Sequence, residues 1–173
     1  FDDIEAFVTG GGNDTVNAAG TTIGLSYSTG GGNDVLTTGT GADTINAGAG
    51  NDLLNLVGAF GNDTITGGAG TDTLSGSTLS GPTTVTFANG AGSLANGGNT
   101  ANFDTVESIV TGAGADTINA GANTLAGASF TTGAGNDVIT GGTAAEAISA
   151  GADDDVITGG GGADTIDAGS GND

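Results

Sequence analysis

The chain has 173 residues, including 38 Gly and 20 acidic residues, and because it contains no Lys, Arg or His its formal charge is −20. This uniform negative charge excludes binding to the phosphate backbone of nucleic acids, and the absence of Cys and His excludes the usual zinc, copper and iron sites. Twenty uncompensated carboxylates on a Gly-rich chain oppose folding, so we expect cations from solution to be required.

A nine-residue unit, Gly-Gly-x-Gly-x-Asp-x-apolar-x, fills most of the chain. Residues 67–75 and 159–167 are complete copies. The first series occupies residues 9–17, 29–37, 38–46, 47–55, 58–66 and 67–75, and the second occupies 111–119, 132–140, 141–149, 150–158 and 159–167, with a partial copy at 168–173. Repetition at a fixed short period predicts a solenoid whose stacked coils share one core.

A longer repeat is superimposed on the short one. Residues 1–10 resemble residues 103–112, which lie 102 positions later, and each of these lead-ins precedes a series of units. We therefore predict a first module over residues 1–75, a β connector or cap over 76–102, and a second module over 103–173. In the connector, residues 83–87 alternate like a half-buried strand. No segment has helical periodicity, and no apolar run approaches the roughly 20 residues of a membrane helix.

Two kinds of interruption occur within the modules. Residues 18–28 and 120–131 contain no Asp, and Leu56 and Val57 form a two-residue insertion between copies. We expect this insertion to bulge out of the coil.

Each unit is predicted to form a turn followed by a three-residue strand. Gly at positions 2 and 4 of the turn provides positive φ and lets backbone carbonyls face a cation, and the middle strand residue points inward. The predicted inward residues are Val16, Leu36, Ile45, Leu54, Ile65, Leu74, Ile118, Ile139, Ile148, Ile157 and Ile166. The predicted carbonyl positions are Gly30, Gly32, Gly39, Gly41, Gly48, Gly50, Gly61, Gly68, Gly70, Gly112, Gly114, Gly133, Gly135, Gly151, Gly160, Gly162, Gly169 and Gly171.

Two units per coil bring carboxylates of successive coils to one edge, about 4.8 Å apart. Two bare carboxylates at that distance repel by roughly 3 kcal/mol, whereas a calcium ion between them reverses the sign and takes carbonyl oxygens as further ligands. The predicted sites are Asp34/Asp52, Asp137/Asp155, Glu146/Asp164 and Asp155/Asp173, together with Asp43/Asp63 and Asp52/Asp72 once the insertion bulges out. Two further pairs, Asp14/Asp34 and Asp116/Asp137, are left open because the stretch between their members lacks Asp.

The phased Gly/Asp repeat resembles the RTX family, the nonapeptide-repeat calcium proteins that bacteria export by type I secretion. The resemblance implies an all-β fold, namely a right-handed parallel β-roll or solenoid with calcium between stacked turns and short β connectors. It also implies disorder in the calcium-poor cytoplasm and folding outside the cell. The ligands implied by the family are Asp14, Asp34, Asp43, Asp52, Asp63, Asp72, Asp116, Asp137, Asp155, Asp164 and Asp173, with roughly six to eight ions bound.

Several positions depart from the unit. Ala144 replaces the fourth-position Gly and Glu146 replaces Asp in one copy. Because Ala in a left-handed conformation costs about 1 kcal/mol, we expect the Glu146/Asp164 site to be the weakest. Asp153 takes the same Gly position in the next copy, which Asp tolerates better. The lead-ins carry acidic residues that are either extra ligands or solvated side chains, namely Asp2, Glu5, Asp104 and Glu107.

Outward strand positions are apolar at Val35, Leu53, Val138 and Val156. They indicate either a contact surface toward a neighbouring module or subunit or ordinary β propensity. Since no His, Cys or Lys is available as base or nucleophile, we expect no catalysis. The favoured function is a self-associating segment of an extracellular bacterial surface-layer lattice. The alternatives are the secretion and folding domain of an exported protease, lipase or toxin, and a module of a large RTX adhesin.

Overall fold

A computed structural model describes residues 5–173, and the lead-in residue Asp2 lies outside this range. All regular structure described is β-strand, and the described residues include no helix long and apolar enough to cross a membrane. The strands are β1 (Ala6–Gly11), β2 (Thr15–Asn17), β3 (Ser26–Gly31), β4 (Val35–Thr37), β5 (Thr44–Ala49), β6 (Leu53–Asn55), β7 (Asn62–Ala69), β8 (Thr73–Ser75), β9 (Thr83–Ala88), β10 (Ala91–Asn96), β11 (Asn99–Asp104), β12 (Ser108–Val110), β13 (Thr117–Asn119), β14 (Ser129–Ala134), β15 (Val138–Thr140), β16 (Ala147–Ala152), β17 (Val156–Thr158) and β18 (Thr165–Asp167). The predicted all-β class is confirmed.

The strands form two sheets between which the chain alternates. Sheet A has the order β1-β3-β5-β7-β11-β10-β9-β13-β15-β17, and sheet B has the order β18-β16-β14-β12-β8-β6-β4-β2. Apart from the pairs within β9–β11, all neighbouring strands are parallel. Paired residues are 18 apart in five of the parallel strand pairs, as at Val35 and Leu53. Sheet B gives one strand to each coil, so the chain makes about eight turns of a parallel solenoid, as the repeat predicts.

The core between the sheets is built from the middle residue of each short strand. Because successive side chains point to opposite faces of a strand, the middle residue of most three-residue strands is buried. The predicted inward residues that are at most 3 % exposed are Leu36, Ile45, Leu54, Ile65, Leu74, Ile118, Ile139 and Ile148. Val16 and Ile157 are partly buried against this core. Ile166 lies in β18, at the outer margin of sheet B, and is 47 % exposed.

The insertion at Leu56 and Val57 does not bulge into solvent, so that prediction is wrong. Leu56 is 1 % exposed, and its N–H continues the hydrogen bonding of sheet B beyond β6. Burying a Leu side chain is favourable by about 2 kcal/mol, which is why it turns inward. The loop from residue 56 to 61 absorbs the added length, and the paired residues Leu53 and Thr73 are accordingly 20 apart.

The predicted connector is an antiparallel meander inside sheet A. Strand β11 pairs in parallel with β7, and β9 pairs in parallel with β13. In sheet B, β8 pairs directly with β12. The segment therefore joins the two modules in one solenoid and does not close the end of either. Because three strands of sheet A here face one strand of sheet B, large rings fill the space, and Phe87 packs edge-on against Phe130 with centroids 5.1 Å apart.

The second module enters the solenoid on the opposite sheet from the first. The lead-in strand of the first module, β1, lies in sheet A, and that of the second, β12, lies in sheet B. The strands β1 to β8, the meander and β12 alternate between the sheets, so an odd number of sheet changes separates the lead-ins. Corresponding outward positions of the two modules therefore face opposite sides of the molecule.

Candidate metal sites

The acidic residues of the turns collect at the two long edges of the solenoid. At the first edge, where the chain passes from sheet A to sheet B, lie Asp14, Asp34, Asp52, Asp72, Glu107, Glu146 and Asp164. At the second edge, where it returns from sheet B to sheet A, lie Asp43, Asp63, Asp116, Asp137, Asp155 and Asp173. Asp63 is the second residue of β7 and Asp173 ends the last turn, and each of the others comes directly before a strand. The parallel register of the coils therefore stacks the carboxylates along each edge.

Each predicted pair is joined by one hydrogen bond. The backbone N–H of one residue donates to a carboxylate oxygen, Oδ1, of its partner in the next coil, for example from Asp34 to Asp52 at 2.8 Å and from Asp43 to Asp63 at 2.9 Å. The same bond joins Asp52/Asp72, Asp137/Asp155, Glu146/Asp164 and Asp155/Asp173 at 2.8–3.1 Å. All six of these pairs are thus in direct contact.

The two pairs left open by the sequence have the same geometry. The N–H of Asp14 donates to Asp34 at 2.8 Å, and that of Asp116 donates to Asp137 at 2.7 Å. The Asp-free stretch between the members of each pair lies at the other edge, where it does not separate them. In the first of these stretches, at the second edge, Leu25 takes the place of an aspartate, and its N–H donates to Asp43 at 2.9 Å.

The second oxygen of most of these carboxylates is buried without a hydrogen-bond partner among the described residues. These oxygens belong to Asp14, Asp34, Asp52, Asp63, Asp72, Asp116, Asp137, Glu146 and Asp155. Leaving a buried charged oxygen unpaired costs several kcal/mol, and the chain has no cationic side chain to offset it. A row of unpaired anionic oxygens at each edge therefore fits bound cations.

Backbone carbonyls of the turns are stacked from coil to coil along the same edges. A Cβ added at Gly50 would overlap the carbonyl oxygen of Gly32 in the preceding coil, and one added at Gly48 would overlap that of Gly30. Both of these glycines have positive φ, at 136° and 109°. Calcium takes six to eight oxygen ligands from carboxylates and carbonyls. Because no group of three or more His, Cys, Asp or Glu converges in the described part of the chain, a cation here would depend on such carbonyls.

The structure corrects the role of three predicted glycines. Gly39, Gly41 and Gly112 do not have positive φ, unlike the other predicted glycines. They are required for close approach, since a Cβ at Gly41 would overlap the backbone of Ile23 and a Cβ at Gly39 would overlap Thr21. The turn over residues 38–43 therefore has a second conformation. Glycine is required there because a neighbouring chain segment lies too close for a Cβ, and not because of a positive φ.

The two residues that replace a fourth-position Gly, Asp153 and Ala144, differ in backbone conformation. Asp153 has the predicted positive φ, at 82°. Ala144 does not have positive φ, so the prediction of left-handed strain at this residue is wrong. The Glu146 turn instead follows the second conformation, with Gly142 close to the backbone of Asn123.

Burial raises the pKa of several edge carboxyl groups in the metal-free chain. Desolvation, followed by repulsion from Asp43, raises the pKa of Asp63 to about 7. Desolvation, with smaller contributions from Asp52 and Glu107, raises the pKa of Asp72 to about 6. Desolvation likewise raises the pKa values of Asp43, Asp52 and Asp137. The folded coil therefore disfavours the negative charges, which a bound cation would stabilise.

Two functional contacts were not predicted from the sequence. Glu107, for which the sequence allows either a ligand or a solvated role, accepts the N–H of Asp72 at 2.9 Å. Asn123 is fully buried, and its Nδ2 donates to Oε1 of Glu146 at 2.8 Å. The recurrence of Glu in both lead-ins was the available signal for the first contact. Nothing in the short repeat indicates the second, because residues 120–131 do not follow it.

Comparison with known proteins agrees with this geometry. The family model described as the RTX calcium-binding nonapeptide repeat (4 copies) matches residues 28–56, 55–78, 103–128, 129–146 and 140–173, which is more than half of the chain. No curated protein and no solved structure gives a match. With its stacked turns, buried carboxylates and family match, the chain belongs to the RTX calcium-binding nonapeptide repeat family.

Proposed function

We propose that this chain is a calcium-folded structural segment of a bacterial extracellular surface-layer lattice, with no catalytic role. The observation that carries the proposal is the double row of buried, unpaired carboxylate oxygens along one uninterrupted solenoid. Calcium ions at the six predicted pairs and at the two further pairs of the same geometry would neutralise most of the −20 charge and would bind neighbouring coils to each other. Because the metal-free chain retains its repulsion, calcium binding and folding are coupled.

An aliphatic pair on the outer face of each sheet supports assembly with neighbouring copies. Val35 and Leu53 are paired and half-buried on the outer face of sheet B. Val138 and Val156 are paired on the outer face of sheet A, 43 % and 61 % exposed. A body with one aliphatic pair on each side can contact neighbours in two opposite directions, which supports extended self-association.

Circular dichroism combined with size-exclusion light scattering tests this function. Without calcium we expect a disordered, expanded chain, and with millimolar calcium a β spectrum and large ordered particles. Extracellular modules bind calcium at about 10⁻⁴ to 10⁻³ M, so about 10 mM calcium should occupy most of the sites. A calcium-folded monomer would instead favour the secretion and folding domain of an exported enzyme or toxin, or an adhesin module. A chain folded equally well in chelator would contradict the proposal.

A further inference from the structure

We propose that Asp72 and Glu107 form an additional calcium site at the junction between the two modules, outside the nonapeptide pattern. Glu107 ends a turn over residues 104–107 that contains no Gly and none of the carbonyl positions of the repeat. The inference rests on the proposed calcium-dependent folding. It adds a ligand that the repeat does not supply.

Glu107 occupies the position of a repeat aspartate in the first edge. The N–H of Asp72 donates to Glu107 Oε2 at 2.9 Å. The same kind of bond, from a backbone N–H to a carboxylate oxygen of the next coil, joins every predicted pair. The N–H of Ser108 donates to the carbonyl of Asp72 at 2.9 Å, just as the N–H of Leu53 donates to the carbonyl of Asp34 at 2.9 Å. The junction turn therefore continues the row of carboxylates from the first module into the second.

The oxygens at this junction are arranged as in a repeat site. Asp72 is 0 % exposed, and its Oδ2 has no hydrogen-bond partner among the described residues. A Cβ added at Gly67 would lie 2.5 Å from this Oδ2 and would also overlap the carbonyl oxygen of Thr105. In the Glu146 turn, a Cβ at Gly141 would likewise meet Glu146 Oε2, at 3.2 Å, and a carbonyl oxygen of the next coil. At the junction a carboxylate and a carbonyl thus face the same narrow gap.

The backbone of Thr105 is strained in a way that serves this arrangement. Its φ is 52°, in the left-handed region that β-branched residues rarely adopt. Its Oγ1 accepts the N–H of Gly68 at 2.7 Å, which fixes the junction turn on the turn of the first module. Strain of this kind persists where the surroundings hold it for a function, and here it brings the Thr105 carbonyl beside Asp72.

Calcium is the cation that suits these groups. Two carboxylates and a carbonyl are hard oxygen ligands, and the chain has no Lys, Arg or His that might pair with them. An ion at this point would bind the last coil of the first module to the first coil of the second. It would make the 102-residue repeat continuous along the first edge.

The substitution Glu107→Gln tests the site, because Gln retains an oxygen that can accept the Asp72 N–H. Calcium bound to the whole chain at saturation is counted by equilibrium dialysis and elemental analysis, with circular dichroism to confirm folding. We expect one ion fewer than in the wild type and folding that requires severalfold more calcium. Glu5→Gln is the matched control, because the Glu5 carbonyl accepts the Ser26 N–H at 2.8 Å as the Glu107 carbonyl accepts the Ser129 N–H at 3.0 Å. It should bind the full number of ions.

An unchanged ion count in folded Glu107→Gln would overturn the inference, since Glu107 would then be a hydrogen-bond acceptor only. If Glu107→Gln does not fold in saturating calcium, Glu107→Asp decides the matter. Restored folding with the wild-type ion count supports the site, and failure of this variant as well overturns it. A wild-type chain that binds no calcium would refute the proposed function itself, which distinguishes the two failures.

Discussion

The two oxygens of an edge aspartate have different environments. In Asp52, Oδ1 accepts the N–H of Asp34, whereas Oδ2 is buried and has no partner among the described residues. The first oxygen holds the coils in register without a metal. The second makes the metal-free coil unfavourable, and burial and the nearby Asp34 raise the pKa of Asp52 accordingly. Register and metal dependence therefore reside in different atoms of the same side chain.

This division predicts opposite effects of Asp52→Asn with and without calcium. Asn keeps the Oδ1 acceptor and removes the charge, so the metal-free chain should be no less folded than the wild type. With calcium, two adjacent sites lose a ligand, and we expect the calcium concentration at half folding to rise about tenfold, or about 1.4 kcal/mol. Calcium titrations followed by circular dichroism measure both.

The control for this substitution is Asp167→Asn, which removes the same charge from an exposed residue outside the edges. Asp167 makes only a local bond to the N–H of Gly169, and Asn can keep it. This variant should titrate as the wild type does. Equal shifts in the two variants would show that net charge, and not the edge position, governs folding.

At the scale of elements, strands were predictable and connections were not. The position of Leu36 or Ile139 in the unit fixes a buried strand residue, because the unit is short and its turn chemistry repeats. The loop lengths vary, so the sequence does not show that Leu56 turns inward or that residues 18–25 and 120–128 occupy opposite edges. Of the meander, the sequence predicts only the strand over residues 83–87, and its place within sheet A depends on pairing with β7 and β13, which no local pattern encodes.

Asn123 shows how one irregular loop replaces a metal-bearing turn. Its amide donates to Glu146 Oε1 and to the Leu125 carbonyl, and its Oδ1 accepts the N–H groups of Leu125 and Asn89. The Asn123 amide thus supplies to Glu146 Oε1 the hydrogen bond that a backbone N–H supplies to the other edge carboxylates, while Glu146 Oε2 has no partner among the described residues.

Asn123→Ala should therefore destabilise the calcium-saturated protein by about 1–3 kcal/mol, the cost of leaving buried polar groups unpaired. Because this loop adds no carboxylate pair, the number of bound ions should stay the same. Denaturant unfolding in excess calcium gives the stability, and equilibrium dialysis gives the ion count. Asn119→Ala, which removes only an exposed bond to Gly121, should have little effect on either. A lower ion count in Asn123→Ala would show that the loop does take part in metal binding.

At the scale of the whole molecule, protons and calcium compete for the same buried carboxylates. In the metal-free chain the pKa values of Asp63 and Asp72 are raised to about 7 and about 6, above an ordinary value of about 4. A raised folded-state pKa means that protonation favours the fold. The stabilisation is complete below about pH 4 and is lost as the pH rises through 6 to 7.

The metal-free chain should accordingly be more folded at pH 4 than at pH 8. Circular dichroism and thermal melting in metal-stripped buffer at pH 4, 6 and 8 measure this dependence. In saturating calcium the order should reverse, because protons then displace the ion. Asp63→Asn should flatten the metal-free dependence near pH 7. A metal-free chain whose folded fraction rises with pH would contradict the raised pKa values.

The change of sheet between modules determines which surfaces meet in an assembly. Val35 and Leu53 lie on sheet B and the corresponding Val138 and Val156 on sheet A, so each flat face carries one aliphatic pair. The combined substitution of Val35 and Leu53 by Asp places two charges on the sheet B pair only. We expect it to abolish the large calcium-dependent particles while leaving the calcium-folded β spectrum intact, because these side chains point away from the core. Light scattering and circular dichroism on the same sample measure the two effects.

Thr44→Asp with Thr64→Asp is the control, since these exposed residues are paired on sheet A in neighbouring coils and add the same charge. Particles that persist in the first variant, or vanish in both, would show that the aliphatic pairs do not direct the assembly.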